Sequence, residues 1–141
     1  MRYLVPLGRV LFALVFIITS FGHFSAETIG YAASKGVPMA ELLVPLSGVM
    51  SLLGGLMIAL GFKARIGGWL IVAFLVPVSL SMHAFWAVDD PQQAMMDRIQ
   101  FMKNVAMLGG ALLITYFGAG PVSVDERRAH AIPATREPLP A

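Results

Sequence analysis

The sequence predicts an all-α fold, a polytopic membrane protein built as an antiparallel bundle of four transmembrane helices. The first observation is composition, because 57% of the 141 residues are hydrophobic and only 13% are charged. An average soluble domain has roughly 25% charged residues. Mean hydropathy is +0.77, which indicates more apolar surface than one small soluble core can bury. The second observation is that four segments have about the 20 residues that a helix needs to cross a bilayer.

The four predicted spans are residues 4–24, 39–62, 65–86 and 98–117. We assign residues 1–120 to one transmembrane domain and residues 121–141 to a polar cytoplasmic tail. Its composition predicts that this tail is disordered by itself or becomes ordered on a partner. The first span has a second interpretation as a signal peptide, which its length and the lack of paired small residues at a cleavage site disfavour.

Basic residues predict the orientation of the chain. Because positive charge marks the cytoplasmic side of a membrane protein, both termini are predicted to be cytoplasmic. Residues 25–38 and 87–97 then face the exterior, and the protein belongs in the bacterial inner membrane. Seven basic residues fall on the cytoplasmic side (Arg2, Arg9, Lys63, Arg65, Arg127, Arg128 and Arg136) and three on the other (Lys35, Arg98 and Lys103).

Glycines and prolines predict how the spans pack. The pairs Gly54-Gly55 and Gly109-Gly110 leave smooth patches where another helix can approach closely,. Pro45 and Pro77 fall inside spans two and three and are predicted to bend them. The connection at residues 61–67 is so short that spans two and three must be antiparallel neighbours.

Residues three and four apart share a helix face, and on each span the polar members of one face gather toward the exterior end. At 1.5 Å per residue, His83 lies about 27 Å from Arg65, near the exterior boundary. The predicted faces are Arg9, Ala13, Phe16, Ser20 and His23 on span one; Glu41, Gly48, Ser51, Gly55 and Ile58 on span two; Trp69, Val76, Ser79, His83 and Trp86 on span three; and Gln100, Asn104, Met107 and Ala111 on span four.

Five residues from separate spans are therefore predicted to meet in one ligand-binding pocket at the exterior end: His23, Glu41, His83, Lys103 and Asn104. Ionisable groups inside a membrane are expensive, and they normally pair or serve a function. Each residue also has a structural interpretation. Lys103 either snorkels to the interface or pairs with Glu41 or Asp97. Asn104 is most simply a hydrogen bond between helices, and the histidines are interfacial residues.

Composition also restricts the chemistry. The chain has no cysteine, which excludes disulfides, thiolate metal sites and iron–sulfur clusters carried by this chain,. Haem held by the two histidines, or a divalent metal held by them together with Glu41, is disfavoured, because neither histidine has a second one three or four residues away. The net charge of +2 does not indicate a nucleic-acid partner, because the basic residues lie at helix ends,.

Several motifs follow one another between residues 8 and 125: Gly8-Arg9, Ser20-Phe21-Gly22-His23-Phe24, Leu53-Gly54-Gly55-Leu56, Gly61-Phe62, His83-Ala84-Phe85-Trp86, Phe101-Met102-Lys103-Asn104, Gly109-Gly110 and Gly118-Ala119-Gly120-Pro121-Val122-Ser123-Val124-Asp125. In order and spacing they resemble the DoxX family of small four-helix membrane proteins. One position departs from the family, because Ser51 stands where a glutamate is frequent. Any task of that carboxylate would then be lost or moved to Glu41.

The resemblance implies a non-catalytic membrane subunit or anchor of a quinone-linked or oxidative-stress redox complex, in contact with lipid and a protein partner. Homo-oligomerisation stays open, and the chain is not expected to be an enzyme by itself. A first alternative is a quinone-handling oxidoreductase subunit, with His23, His83 and Lys103 lining the quinone pocket. A second is a bundle that binds or transports a small molecule or lipid. Quinone is the only cofactor that the resemblance implies.

Overall fold

The chain forms six α-helices in the computed structural model, which describes residues 2–131, and the four long ones are mostly apolar. The helices are α1 (Leu4–Ser20), α2 (Ala26–Ser34), α3 (Ala40–Leu60), α4 (Ala64–Met82), α5 (Pro91–Phe117) and α6 (Val124–Ala131). Short 3-10 turns at Phe21–Phe24 and Phe85–Ala87 follow α1 and α4. Residues 2–131 contain no strand, so the all-α prediction is confirmed.

The four long helices α1, α3, α4 and α5 pack side by side in that order. All four contribute to one apolar core, and α1 also meets α5 where the Phe12 ring lies against Gly110. We call the two ends of this bundle the α2 end and the α6 end, after the short helix that each carries. The buried core residues are Ala13, Phe16, Ile58, Ile71, Phe74, Leu75 and Ala111.

Three stretches are long and apolar enough to cross a membrane: Leu4–Phe24, Ala40–Leu60 and Ala64–Ala87. Helix α5 has 27 residues, but Gln100, Lys103 and Asn104 make it less apolar than those three. Large hydrophobic side chains such as Leu11, Leu53 and Leu113 are exposed around the bundle. A soluble protein rarely exposes a contiguous apolar surface of this extent. The chain is therefore a membrane protein with transmembrane helices.

Helical structure at the α2 end exceeds the prediction. Residues 25–38 and 87–97 were expected to be exterior loops, but α2 and the first two turns of α5 form there. Ser25 begins α2 by accepting a hydrogen bond from the Thr28 amide at 3.2 Å. Asp90 begins α5 by accepting one from the Gln93 amide at 2.7 Å, and Pro91 occupies the first helical position. Both are ordinary N-cap arrangements.

The start of the predicted tail is also helical. Residues 124–131 form α6, while residues 132–141 lie outside the described part of the chain. Ser123 and Glu126 form a capping box, because the Ser123 hydroxyl accepts from the Glu126 amide at 3.1 Å,. The Glu126 carboxylate reaches back to the Val122 amide at 2.6 Å. The sequence Ser-Val-Asp-Glu therefore starts a helix where composition indicated disorder.

Three of the four glycines that were expected to form packing surfaces do so. A Cβ at Gly54 would lie 2.9 Å from the Ile71 side chain, and one at Gly55 would lie 2.9 Å from Ile17. A Cβ at Gly110 would lie 2.7 Å from the Phe12 ring. The prediction for Gly109 is wrong, because no atom lies within 4 Å of where its Cβ would be. Gly109 points away from the bundle on the exposed side of α5.

Candidate functional site

A cavity of about 350 Å³ lies at the α2 end, between α3 and α4. Helix α2 contributes Thr28 and Ala32 to its wall, and Phe74 lies on the side toward the core. Exposed Leu46 and Ala73 mark where the cavity opens sideways. Pro77, inside α4, also lines the cavity. A proline inside a helix removes one backbone hydrogen-bond donor and tends to bend the helix there. The walls are mostly apolar, with two imidazoles and three hydroxyls among them.

His23 reaches the cavity from the end of α1 and is fixed by α3. Its Nδ1 lies 2.8 Å from the Ser47 hydroxyl, and the Ser47 hydroxyl donates to the Val44 carbonyl at 2.6 Å. Because a hydroxyl has one proton, His23 must be the donor to Ser47, with its hydrogen on Nδ1. The neutral imidazole then presents Nε2 as an acceptor. The ring packs on Phe74, with 5.6 Å between ring centroids, which holds its orientation.

His83 reaches the cavity from the other side, directly after α4 ends at Met82. Its Nδ1 is buried and has no hydrogen-bond partner among the described residues. The nearest acid is Asp97, with Oδ1 at 3.6 Å from Nδ1. That distance is too long for a hydrogen bond but short enough for an ion pair when the imidazole is protonated. A small movement of His83, or a polar group of a ligand, would satisfy this nitrogen.

Asp97 is the charged centre of the α2 end. Its side chain is only 5% exposed, and its Oδ2 accepts a hydrogen bond from Lys35 Nζ at 3.1 Å. Its Oδ1 accepts one from Gln93 Nε2 at 3.2 Å. Lys35 follows α2, whereas Gln93 and Asp97 belong to α5. This ion pair therefore ties the α2 segment to α5 beside the cavity.

The surroundings of this ion pair shift both pKa values toward the charged forms. Burial is the largest influence on the Asp97 pKa and opposes ionisation, but hydrogen bonds from Lys35 and Gln93 outweigh it and lower the pKa below its ordinary value of 3.8. The hydrogen bond to Asp97 raises the pKa of Lys35 above its ordinary value of 10.5. Stability from Asp97 is thus lost as pH falls through its folded pKa, and stability from Lys35 as pH rises through its folded pKa. Between roughly pH 4 and pH 10 the pair contributes fully.

We expect Asp97→Asn to lower the free energy of unfolding at pH 7 by about 2 kcal/mol, the size of a lost hydrogen bond to a charged group. The difference from wild type should shrink as the pH falls through the folded pKa of Asp97, which lies below 3.8, because the wild-type carboxyl then becomes protonated as well. Unfolding in mixed detergent micelles, followed by tryptophan fluorescence from pH 7 downward, measures the free energy at each pH. Glu41→Gln is the matched control, since it also removes an acid at the α2 end but Glu41 is exposed. Equal pH profiles for the two variants would refute the role of Asp97.

The structure separates the five predicted site residues. His23 and His83 line one cavity, as the helix register predicted. Glu41 lies outside that cavity and lines a shallow depression between α2 and the start of α3. Lys103 is exposed and Asn104 half-buried on α5, and neither lines the cavity. Asp97 pairs with Lys35 and not with Lys103.

Sequence reasoning missed Lys35 and Gln93 and treated Asp97 only as one choice of partner for Lys103. The available signal was the spacing of Gln93 and Asp97, four residues apart on one helix face once α5 is extended back to Pro91,. Lys35 was the one cation in its predicted loop, which made it the natural partner of a buried acid. No group of three or more histidine or acidic side chains in the described residues has the arrangement of a metal site.

A second polar cluster closes the α6 end around Arg9, which is 6% exposed. Its guanidinium donates to the Ala119 carbonyl, to the Val122 carbonyl at 3.0 Å and, more weakly, to the Ala59 carbonyl at 3.4 Å. These carbonyls belong to the end of α3 and to the chain after α5. A cation at helix C-terminal ends is stabilised by the negative end of the helix dipole. Arg9 therefore ties α1 to α3 and to the chain that follows α5.

Asp125 is the acidic member of this cluster. It binds at a helix N-terminus, whereas Arg9 binds at helix C-terminal ends. Its carboxylate accepts from the Lys63 amide at 2.7 Å and from the Ala64 amide at 3.0 Å, where α4 begins. An anion at a helix N-terminus is favourable. The Asp125 amide also donates to the Gly61 carbonyl at 2.9 Å. This cluster is structural, and it gives the Gly118–Asp125 block a function in folding.

Comparison with known proteins decides the family. The SURF4 family matches residues 1–130, nearly the whole chain. The chain belongs to the SURF4 family. It is 30% identical over 126 residues to the inner membrane protein YphA of Escherichia coli, covering 88% of this chain and 89% of YphA. It is 29% identical over 123 residues to the inner membrane protein YqjF of the same organism, covering 86% of this chain and 88% of YqjF.

A eukaryotic relative is much longer than this chain. The ER-derived vesicles protein ERV29 of Saccharomyces cerevisiae is 25% identical over 126 residues, which cover 89% of this chain and 34% of the yeast protein. The chain thus spans about a third of the length of that SURF4 relative. No solved structure matches the chain.

Membership of the SURF4 family overturns the DoxX resemblance and the redox function that it implied. The subunit or anchor of a redox complex and the quinone-handling subunit are both wrong as predictions. The motifs behind the resemblance have general physical causes in this structure. Gly54, Gly55 and Gly110 occupy close helix contacts, and the segment after α5 accepts from Arg9 and caps α4. Such features suit any small helical bundle and do not identify a redox complex.

Proposed function

We propose that this SURF4-family protein is a receptor that crosses the bacterial inner membrane four times and binds an apolar segment of another protein in the cavity at the α2 end. The cavity carries the proposal: it is mostly apolar, opens sideways and is lined by two imidazoles, of which His23 is held in a fixed orientation. No chemical conversion of the bound segment is proposed. The α2 end faces the exterior and both termini face the cytoplasm.

The proposed topology rests on the helix lengths and on the distribution of charge. Helix α5 supplies the fourth span, residues 98–117, because about 20 residues suffice to cross a bilayer and α5 has 27,. Its polar residues Gln100 and Asn104 are half-buried, facing the bundle and not lipid. The positive-inside rule places the α6 end, with Lys63, Arg127 and Arg128, in the cytoplasm. The two relatives named as inner membrane proteins support the location.

The chemistry of the cavity suits a polypeptide segment. Apolar walls accept aliphatic side chains, while the His23 Nε2 acceptor can bond to a backbone N–H of the guest. Binding sites typically combine an apolar lining with a few placed polar groups. One relative, ERV29, is named as a protein of ER-derived vesicles, and this name supports a binding role.

The hydrogen bonds around Ser47 argue against a serine nucleophile in this cavity. A catalytic serine donates its proton to a histidine that acts as general base. Here the Ser47 hydroxyl donates to the Val44 carbonyl, and His23 donates to Ser47. The Ser81 hydroxyl likewise donates to the carbonyl of Pro77 in its own helix. These groups are arranged to hold side chains in place, which fits binding.

Site-specific photo-crosslinking tests the receptor. A photoreactive phenylalanine at Met50, which lines the cavity, should form a defined protein adduct in intact cells. The matched control is Leu53 on the same helix, which is exposed but does not line the cavity. We expect the adduct at position 50 only, identified by mass spectrometry of the crosslinked peptide. Adducts of equal yield at both positions, or adducts with lipid alone, would contradict the proposal.

A cavity-blocking variant makes the test specific. Ala73→Phe adds a ring at the exposed mouth without changing the core, and Val76→Phe adds the same ring on α4 outside the cavity. Ala73→Phe should reduce the adduct at position 50 about tenfold, which corresponds to about 1.4 kcal/mol of binding free energy. Val76→Phe should leave the yield unchanged. Unaltered elution in gel filtration establishes that both variants are folded.

A further inference from the structure

A groove at the α6 end, on the far side of the bundle from the cavity, runs between the start of α4 and the end of α5. It encloses about 660 Å³ and is open to the surroundings. One cation lies among aromatic and aliphatic side chains on its walls. The lining residues are Arg65, Trp69, Leu112, Thr115, Tyr116 and Phe117.

Arg65 carries a charge without a neutralising partner among residues 2–131. Its side chain lies along the end of α5, with Nε 3.4 Å from the position that a Cβ of Gly118 would take. Asp125, an acid at this end of the bundle, is already bound to the amides at the start of α4. Lys63, two residues earlier, is also exposed, with its Nζ 5.7 Å from the Phe62 ring. This end of the groove therefore attracts an anion.

The walls of the groove have the composition of a membrane interface. Trp69 lies one turn further into α4 than Arg65 and on the same face, and it is 58% exposed,. Tyr116 is 75% exposed at the last turn of α5. Tryptophan and tyrosine prefer the headgroup level of a bilayer. Leu112, one turn deeper, continues the groove toward the acyl chains.

We infer that this groove binds an anionic phospholipid, with the headgroup phosphate on Arg65 and one acyl chain along Trp69 and Leu112. The guanidinium suits a phosphate because it can donate two parallel hydrogen bonds. Charge complementarity favours a lipid with net negative charge, since Arg65 and Lys63 together repel the cationic group of a zwitterionic headgroup. Basic sites between helices at the cytoplasmic side are known to bind anionic headgroups.

Quenching of Trp69 by brominated lipid tests this site in the full-length protein. The chain has two tryptophans, so a Trp86→Phe background leaves Trp69 as the only fluorophore of that type. The protein is reconstituted in phosphatidylcholine vesicles with a small fraction of brominated phosphatidylglycerol or, as reference, the same fraction of brominated phosphatidylcholine. We expect stronger quenching by brominated phosphatidylglycerol at equal mole fraction. Equal quenching by the two lipids would overturn the inference.

Charge variants show whether Arg65 is responsible. Arg65→Gln should reduce the relative association constant of phosphatidylglycerol about fivefold, the effect of one basic group near a membrane surface. Arg127→Gln removes an exposed cation at the same end, outside the groove, and should have little effect. An equal loss in both variants would mean general surface attraction and would overturn the site. Displacement of brominated phosphatidylglycerol by inorganic phosphate at constant ionic strength would also overturn it, since the groove would then bind a free anion.

Discussion

Replacing Arg9 with methionine is expected to lower the free energy of unfolding by about 3–5 kcal/mol, the range for breaking a buried charged interaction from one side. Methionine retains the apolar stem of arginine, so the loss reports on the guanidinium and not on a cavity. The carbonyls of Ala119 and Val122 lose their donor, and Asp125 loses a nearby positive charge. With typical stabilities of 5–15 kcal/mol, this is a large fraction of the whole.

The measurement is equilibrium unfolding in mixed detergent micelles, followed by circular dichroism. Arg2→Met is the matched control, because Arg2 belongs to the same end of the bundle but is exposed. Its effect should stay within about 0.5 kcal/mol, as for most surface substitutions. Arg9→Lys should fall between the two, since an ammonium keeps the charge but cannot reach three separate carbonyls in a fixed plane. If Arg9→Met and Arg2→Met were equally stable, the buried cluster would not hold the α6 end together.

The Arg9 cluster also illustrates what the sequence could not reveal. The buried face of α1 was predicted correctly from helical spacing, since Arg9, Ala13, Phe16 and Ser20 are its buried residues. The carbonyls that accept from Arg9 were not predicted, because a cation near the start of a span was interpreted only as a marker of the cytoplasmic side. The acceptors of Arg9 are backbone carbonyls that are distant in the sequence. The sequence does not show which backbone carbonyls stay free to accept a hydrogen bond from a side chain.

For helix α4, the predicted inward face is wrong in part. Of its predicted inward face, Ser79 is buried, but Trp69, Val76 and Trp86 are exposed. The other buried residues of α4 are Ala64, Gly67, Gly68, Ile71, Phe74 and Leu75. Helical periodicity alone cannot orient a helix that is apolar all around. Polar residues and tryptophans were used to choose the face, although in lipid the glycines mark the close contact.

At the α2 end, helix register brought His23 and His83 to one level, and the structure places both on one cavity. The same reasoning could not separate Glu41 and Lys103, which share that level but lie on other faces. It also could not foresee that α2 would cover the cavity, because α2 occupies a segment that was interpreted as a loop. The capping of α2 by Ser25 and of α5 by Asp90 could have been predicted from the local sequence. The pairing of Lys35 with Asp97 could not, because it depends on how α2 packs against α5.

Gly68→Leu is expected to destabilise the bundle by about 3 kcal/mol or more, the upper range for overpacking a close contact. A Cβ at this position would meet the Thr115 hydroxyl and lie 3.1 Å from the Ala111 carbonyl and 3.2 Å from the Thr115 amide. Two of these atoms are backbone, and the hydroxyl is held by its own hydrogen bond to the Ala111 carbonyl at 2.9 Å. None can move aside without shifting α5, so the substitution must separate α4 from α5.

Gly109→Leu is the matched control, because it makes the same change on the other helix of this pair, where no atom lies within 4 Å of a Cβ. Leucine is a better helix former than glycine by up to about 1 kcal/mol, so this variant should be unchanged or slightly more stable. Thermal unfolding of both variants in the same detergent separates packing from helix propensity. The contact between α4 and α5 carries Arg65 and Trp69 against the end of α5, so lipid-dependent quenching of Trp69 should fall with Gly68→Leu and persist with Gly109→Leu. Equal stability of the two variants would mean that α5 is not packed on α4 as described, and α5 could then not serve as the fourth span.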